Sequence, residues 1–275
     1  MPRTTQTSSR PVRTQLGRCL TALAAAGLLA GCGLPLASPG AGHDAGGPHA
    51  STRVEGGASP SGTKTTTATT SATAVPPLTR EQVSDALAAL ARLPVKGRAP
   101  KTGYARAAFG QAWTDDVDVS LGHNGCDTRN DILRRDLTGE RLKPGTRGCV
   151  VLSGVLADPY TARTITFTRG RSTSSRVQID HVVALGDAWV TGAQQLTAVQ
   201  RTTLANDPLN LLAVDGPTNS AKRDSDAASW LPPNKPYRCA YVARQVSVKQ
   251  RYHLWVTPAE GAQIARILAG CAVTR

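Results

Sequence analysis

The chain has 275 residues and a formal net charge of +13, from 32 lysine and arginine residues against 19 acidic residues. This balance favours a polyanionic partner, either nucleic acid or an anionic cell envelope, because cations displace the counterions that condense on phosphates. After the N-terminal segment, no stretch approaches the ~20 consecutive apolar residues of a membrane-spanning helix, which excludes a bundle of transmembrane helices.

Residues 1–31 predict a bacterial export signal. They contain four arginines and no acidic residue, and Leu20 to Ala30 forms an apolar run of about eleven residues, too short for a stable transmembrane helix. The run ends in Leu29-Ala30-Gly31-Cys32, which resembles a lipobox, so Cys32 is predicted to be lipidated; a cleaved signal with a chance cysteine is the alternative. The predicted location is the outer face of the cell membrane, through this lipid anchor, or secretion if Cys32 is not lipidated.

The segment that follows the signal predicts a flexible tether. Residues 32–77 are rich in Ser, Thr, Gly and Pro and contain no Phe, Trp or Tyr, so they cannot bury enough surface to offset the entropy of ordering. The folded domain is therefore predicted over residues 78–275. Loss of the signal removes four arginines and no acids, which leaves a mature charge of 28 − 19 = +9.

The first half of the domain predicts helices before short strands. Thr79 and Gln82 form a capping-box pattern at the start of a helix that Pro94 ends. Three further elements and a basic loop follow: a helix over 128–137, β-branched strands over 150–152 and 164–168, and the loop over 169–176.

Residues 177–230 predict the core of the domain. A strand from Val177 to Ile179 enters Asp180-His181, and a helical stretch spans 182–205 with a break at Thr191-Gly192. A second strand spans 211–214, and a helix spans 218–229. Strand, strand and helix form the ββα arrangement that can hold one metal ion. Two helices complete an α+β domain: residues 238–251, and a last helix capped by Thr257.

The cysteine count predicts disulfides. Cys19 is lost with the signal and Cys32 would carry lipid, which leaves four cysteines, Cys126, Cys149, Cys239 and Cys271. An even number in an exported chain predicts two bridges with three possible connectivities, of which proximity in sequence favours Cys126–Cys149 and Cys239–Cys271. A structural zinc site is the alternative, but no C-x-x-C motif or nearby Cys/His pair supports it.

The predicted core carries the side chains that phosphodiester hydrolysis requires, namely a base for water and ligands for a cation. Oxygen ligands from Asp180 and Asn219 suit Mg²⁺ or Mn²⁺ better than Zn²⁺. His181 is then free of the metal and available as general base, near its ordinary pKa. Because adjacent strand residues point to opposite sides, the strand must end or bend at this pair for both to serve one site.

This set of motifs resembles the HNH endonucleases of the ββα-metal type, most closely exported bacterial proteins similar to the C-terminal domain of GmrSD restriction enzymes. The resemblance covers roughly residues 100–271. The residues that carry it include I-D-H-V-V-A-L at 179–185, A-N-D-P-L-N-L-L-A-V at 205–214, N-S-A-K-R-D at 219–224, D-P-Y-T at 158–161 and C-D-T-R-N-D-I-L at 126–133.

The resemblance implies a role for each polar residue of the core. Asp180 and Asn219 would be metal ligands, and His181 would be the general base. Asn210 would brace the catalytic loop, while Lys222 would either lie near the scissile phosphate or hold that loop. The last histidine of the family name is Asn219 here, which favours magnesium over tight zinc ligation.

The predicted function is a metal-dependent endonuclease that cuts DNA, with RNA as the alternative substrate and no protein partner implied. A second hypothesis is a lipid-anchored module of the same fold that binds extracellular nucleic acid without cutting it. A hydrolase of another class is disfavoured, because the chain has no G-x-S-x-G or H-E-x-x-H motif. Asp180 and His181 could also be only a structural pair, and Asn210 only a turn residue.

Overall fold

The computed structural model describes residues 76–271, in which seven α-helices surround two small antiparallel sheets. The predicted signal, Cys32 and nearly all of the predicted tether lie outside the described residues. None of the helices in the described range combines the length and hydropathy needed to cross a bilayer. The prediction of an α+β fold with short antiparallel strands, surrounding helices and disulfides is confirmed.

The elements are numbered here in chain order. The helices are α1 Arg80–Arg92, α2 Thr128–Asp136, α3 Leu185–Val190, α4 Ala198–Asn206, α5 Gly216–Lys222, α6 Arg238–Arg251 and α7 Pro258–Ala269. The strands are β1 Leu137–Leu142, β2 Val151–Ala157, β3 Thr164–Thr168, β4 Val177–His181 and β5 Leu211–Asp215. Strands β1, β2 and β3 form one sheet in that order, and β4 pairs with β5 in the other.

Local sequence signals define several helix ends. At α1, the Thr79 side chain accepts from the Gln82 backbone N–H and the Gln82 side chain accepts from the Thr79 N–H, which completes the predicted capping box. The helix α7 begins with the same reciprocal pair, Thr257 and Glu260. Each box satisfies two backbone donors that would otherwise lack partners at a helix start.

Several elements differ from the sequence prediction. The helical stretch predicted over 182–205 is divided into α3 and α4, with a 3₁₀ turn at Ala193–Gln195 between them. Leu137, predicted as helical, begins β1 and pairs with Leu156 of β2, and the register shift between Thr138 and Arg141 removes the alternation typical of a strand. The helix predicted over 218–229 is α5, which begins earlier and ends at Lys222, because Arg223 adopts a φ of +54°. The positive φ at Arg223 therefore ends the helix seven residues before the predicted end.

The β4–β5 hairpin lies between two hydrophobic clusters. On one face, Ile179 and Ala213 pack with α2 and the three-stranded sheet. On the other face, Leu212 and Val214 pack with the cluster formed by α1, α6 and α7. With both faces covered, the hairpin can place polar side chains at its end with little freedom to move.

The four cysteines of the domain form two disulfides, Cys126–Cys149 and Cys239–Cys271. This is the pairing that proximity in sequence favours, and it leaves none of the four for a zinc site. The first bridge ties the residue before the α2 N-cap to the loop between β1 and β2. The second ties the start of α6 to the end of α7. Each closes a loop of a few tens of residues and contributes roughly 3 kcal/mol.

Candidate functional site

Asp180 and His181 occupy the last two positions of β4, paired with Leu212 and Leu211 of β5. Their side chains take opposite directions, as adjacent strand residues must. Because β4 ends at His181, one open cavity of about 170 Å³ still reaches both residues. The condition that the strand end at this pair is therefore met.

Lys222 contacts both of these residues where β4 ends. Its ammonium lies 2.9 and 2.8 Å from the two carboxylate oxygens of Asp180 and donates to the backbone oxygen of His181 at 2.6 Å. The lysine side chain is fully buried. Of the two roles that the resemblance implies, this position supports holding the loop and leaves the ammonium out of reach of a phosphate in solvent.

Tyr160 supports the same carboxylate from the other side. Its hydroxyl donates to Asp180 Oδ2 at 2.5 Å, and its ring is fully buried against Trp230 and Tyr241. Burial, followed by the charge of Asp180, raises the pKa of Tyr160 well above its ordinary value, so the hydroxyl stays a donor. Asp180 is thus fixed by two buried donors, Lys222 and Tyr160.

Asp180 and Asn219 bring oxygen atoms to one cavity, where the Lys222 ammonium already contacts both oxygens of Asp180 and, within the described range, leaves the Asn219 amide oxygen free. Among the described residues, Asp180 Oδ1 accepts from Lys222 alone, which leaves it a further lone pair. Asn219 donates through Nδ2 to Gln178 Oε1 at 2.9 Å, so its amide oxygen has no protein donor among residues 76–271. Both residues line the same cavity. An oxygen donor set of this kind suits Mg²⁺ or Mn²⁺.

His181 is held in one tautomer. Its Nε2 lies 2.9 Å from the backbone oxygen of Ala205, which can only accept, so Nε2 carries the proton and Nδ1 carries a lone pair. The Trp113 ring stacks on the imidazole with centroids 6.1 Å apart and 17° between planes. Within the described part of the chain, Nδ1 has no hydrogen-bond partner, so it is the nitrogen available to take a proton.

The expectation of an ordinary pKa for His181 is wrong. The residue is 7% exposed, and burial lowers its pKa to about 3, with smaller contributions from the charges of Arg106 and Lys222 and an opposing one from the Ala205 carbonyl. The ring is therefore neutral at physiological pH. Sequence could not predict this shift, because the residues that bury the ring come from separate segments.

Asn210 braces the loop that follows β4. Its Oδ1 accepts from the backbone N–H of Val183 at 2.8 Å, and its Nδ2 donates to the carbonyls of Val183 and Leu204. The side chain is fully buried and does not line the cavity. This placement supports a bracing role and gives no route to direct contact with a substrate.

The cavity brings in charged residues that the motif analysis did not assign to the site. Its polar lining includes Arg106, Asp180, His181, Asn219, Arg223 and Asp224. Arg223 and Asp224 lie in the N-S-A-K-R-D motif and could have been found there. Arg106 belongs to a segment without a motif, so only the fold reveals its position.

A second acidic cluster is not a good metal site. Asp187, Asp226 and Glu260 each place a carboxylate oxygen within 4.8 Å of the others. The ammonium of Lys249 lies 3.2 Å from Asp187 and 2.8 Å from Glu260, and Arg98 lies 2.6 Å from Asp226. Because Lys249 already takes the position of a cation, the cluster is a buried network of ion pairs.

Comparison with known proteins identifies one family that this chain matches. The sequence profile described as "GmrSD restriction endonucleases, C-terminal domain" matches residues 127–267, just over half of the chain. An uncharacterized secreted protein of Arthroderma benhamiae is 37% identical over 190 residues, which cover 68% of this chain and 85% of that protein. No solved structure has significant similarity. This relative is fungal, so a bacterial lipoprotein stays a prediction.

Proposed function

The chain belongs to the family of GmrSD restriction endonuclease C-terminal domains, and from this membership we propose that it is a metal-dependent endonuclease. It hydrolyses phosphodiester bonds of DNA, with RNA as the alternative substrate. The observation that carries the proposal is that His181, whose Nδ1 is left unprotonated, lines the same cavity as Asp180 and Asn219.

His181 is the general base of the proposed reaction. Its Nδ1 takes a proton from water, while the Ala205 carbonyl holds the ring through the Nε2 proton and stabilises the positive charge that the ring gains. This resembles the way in which a buried acceptor orients other catalytic histidines. The fixed ring needs no rotation before proton transfer, which reduces the entropic part of the barrier.

Asp180 and Asn219 would hold the metal ion, Mg²⁺ or Mn²⁺. When bound, the ion supplies positive charge that neutralises the phosphate and the leaving oxygen. Lys222 and Tyr160 orient the Asp180 carboxylate, because both donate to it from buried positions. Asn210 keeps the loop after His181 in place.

The experiment that tests this proposal is cleavage of a supercoiled plasmid by the mature protein, kept oxidised, with Mg²⁺ or Mn²⁺ and with EDTA. Nicked or linear product is expected with either metal and none with EDTA. A folded protein that binds the plasmid in a salt-sensitive manner, yet cuts it with neither metal, would reject the nuclease and support the nucleic-acid-binding module instead.

We also propose that the protein is exported. Two disulfides are typical of exported proteins, and the fungal relative bears the name of a secreted protein. Lipidation of Cys32 is the finer proposal, and expression in a bacterial host tests it. Cys32→Ser is expected to move the protein from the membrane fraction to the soluble exported fraction, and an unchanged distribution would contradict a lipid anchor.

A further inference from the structure

We infer that Arg106 binds the phosphodiester group of the substrate. This residue lines the site but precedes the region that matches the family. The inference rests on the proposed function, because it names how the same cavity holds its substrate. The family profile matches residues 127–267 and does not include Arg106. The residue therefore adds to the motif set and does not follow from it.

The position of Arg106 is the first observation. It lines the cavity that contains Asp180, His181 and Asn219. It also lines a smaller apolar cavity, whose lining includes Trp113 and His181. Arg106 and His181 are thus shared by both cavities. A positive charge at this place lies next to the atoms that would receive a phosphate.

The availability of the guanidinium is the second observation. Arg106 is exposed and forms no hydrogen bond or ion pair with any residue of the described range. Other arginines are committed, since Arg135, Arg201 and Arg244 each donate to backbone carbonyls. A free guanidinium offers a planar fork of donors that matches two oxygens of a phosphate.

The nearby acids do not neutralise Arg106. Asp180 is paired with Lys222, and Asp224 accepts from Lys101 at 2.7 Å. With each of these carboxylates matched to a lysine, the charge of Arg106 is left for a ligand. The cavity therefore presents the Arg106 guanidinium beside the proposed metal ligands Asp180 and Asn219. This arrangement suits an anion that can contact the guanidinium and a bound metal ion.

Packing and hydrogen bonds fix the position of the backbone at Arg106. Arg106 begins a short 3₁₀ turn, Arg106–Phe109, in which Phe109 is buried and the Ala108 carbonyl accepts from Arg201 Nε at 2.8 Å. The turn ends at Gly110, with a φ of +76°, where a Cβ atom would lie 2.1 Å from Thr202 Oγ1. Such a close fit against α4 means that the position of Arg106 is part of the folded structure.

Arg223 provides a second guanidinium on the same cavity. It follows α5 directly, is exposed, and has no ion pair or hydrogen-bonded side chain within residues 76–271. Two free arginines and a pair of oxygen ligands favour a phosphodiester over a neutral or cationic ligand. Arg223 lies in the family motif, so Arg106 is the residue that tests the inference.

The test is binding of a short fluorescein-labelled DNA oligonucleotide by the mature protein in EDTA, followed by fluorescence anisotropy over a range of salt concentrations. Arg106→Gln is expected to raise the Kd about tenfold, since a charge-assisted hydrogen bond is lost. The slope of log K against log salt should fall by about one. Arg106→Lys keeps the charge and should restore part of the affinity.

The matched control is Arg266→Gln, which removes another exposed arginine, on α7 and outside the cavity. Its affinity should stay close to that of the wild type. Equal losses in the two variants would overturn the inference, because the effect would then be one of overall charge. An unchanged Kd for Arg106→Gln would overturn it as well. Thermal unfolding followed by circular dichroism checks that both variants fold.

The two proposals can fail separately. Weaker binding by Arg106→Gln, together with no cleavage by the wild type with any divalent metal, would keep the phosphodiester-binding site and reject the nuclease. Metal-dependent cleavage by the wild type, together with wild-type binding and cleavage by Arg106→Gln, would keep the nuclease and reject the role of Arg106.

Discussion

Replacement of His181 by alanine is expected to lower the rate of metal-dependent cleavage by about 10²- to 10⁴-fold. The substitution removes the unprotonated nitrogen of a residue that lines the cavity, and with it the proposed acceptor for the proton of water. Binding of DNA in EDTA should change little, because the neutral ring does not contribute a charge. The measurement is plasmid cleavage with Mg²⁺, with binding measured in parallel.

A second variant separates catalysis from folding. Alanine leaves a gap beside Trp113 and removes the donor to the Ala205 carbonyl, so His181→Ala can lose some stability. Glutamine can retain a donor to that carbonyl but cannot act as a base. His181→Gln is therefore expected to be folded and equally inactive. Wild-type cleavage by both variants would show that His181 is not the base.

The control for the His181 variants is His253→Asn. His253 is exposed and has a φ of +52°, a conformation that asparagine tolerates better than most residues. It lies outside the cavity that holds His181. Its replacement should leave the cleavage rate unchanged, which would show that loss of a histidine elsewhere has no effect.

The parts of the fold that sequence predicted are those set by local chemistry. Thr79 with Gln82, and Thr257 with Glu260, form capping boxes within four residues, so pattern alone locates two helix starts. The β4–β5 hairpin was predictable because its apolar residues surround a recognisable Asp-His pair. In contrast, β1 has a bulge and only pairs with β2, so it carries no alternation that a sequence pattern could detect.

The candidate site was predictable in its motif residues and not in their surroundings. Sequence could assign Asp180 and Asn219 to one predicted metal site. In contrast, Tyr160 reaches Asp180 because the turn before β3 folds against the β4–β5 hairpin. Sequence left two positions open for Lys222, and the structure buries its side chain fully against the Asp180 carboxylate. These contacts join segments that are distant in sequence, so a single sequence could not predict them.

The buried network of ion pairs around Lys249 predicts a second large effect, on how the free energy of unfolding depends on pH. Glu260 faces Lys249 of α6, Asp187 of α3, and Asp226, which pairs with Arg98. The network contains three carboxylates and two cations, so one proton would balance it. Asp187 Oδ1 has no hydrogen-bond partner among the described residues, and a protonated Glu260 could supply one. Burial raises the pKa of Glu260 from 4.5 to about 7, with Lys249 opposing this rise and Asp187 adding to it.

The direction of the effect follows from these pKa values. Between pH 4.5 and pH 7 the folded protein holds the Glu260 proton, whereas the unfolded chain releases it. The contribution of Glu260 to the free energy of unfolding is therefore full below pH 4.5 and falls as the pH rises to 7, with no further loss above it. The expected loss is about 1–3 kcal/mol.

Glu260→Gln is expected to remove this pH dependence, because glutamine stays neutral, can still complete the capping box with Thr257, and leaves Lys249 paired with Asp187. Urea unfolding of the oxidised protein from pH 4.5 to pH 7 measures the effect. The difference between variant and wild type should shift in favour of the variant by about 1–3 kcal/mol across this range. Glu81→Gln, at an exposed site in the first turn of α1, is the control and should follow the wild type. Parallel curves for Glu260→Gln and the wild type would show that Glu260 is already ionised at pH 4.5, and that Lys249 stabilises its charge more strongly than burial opposes it.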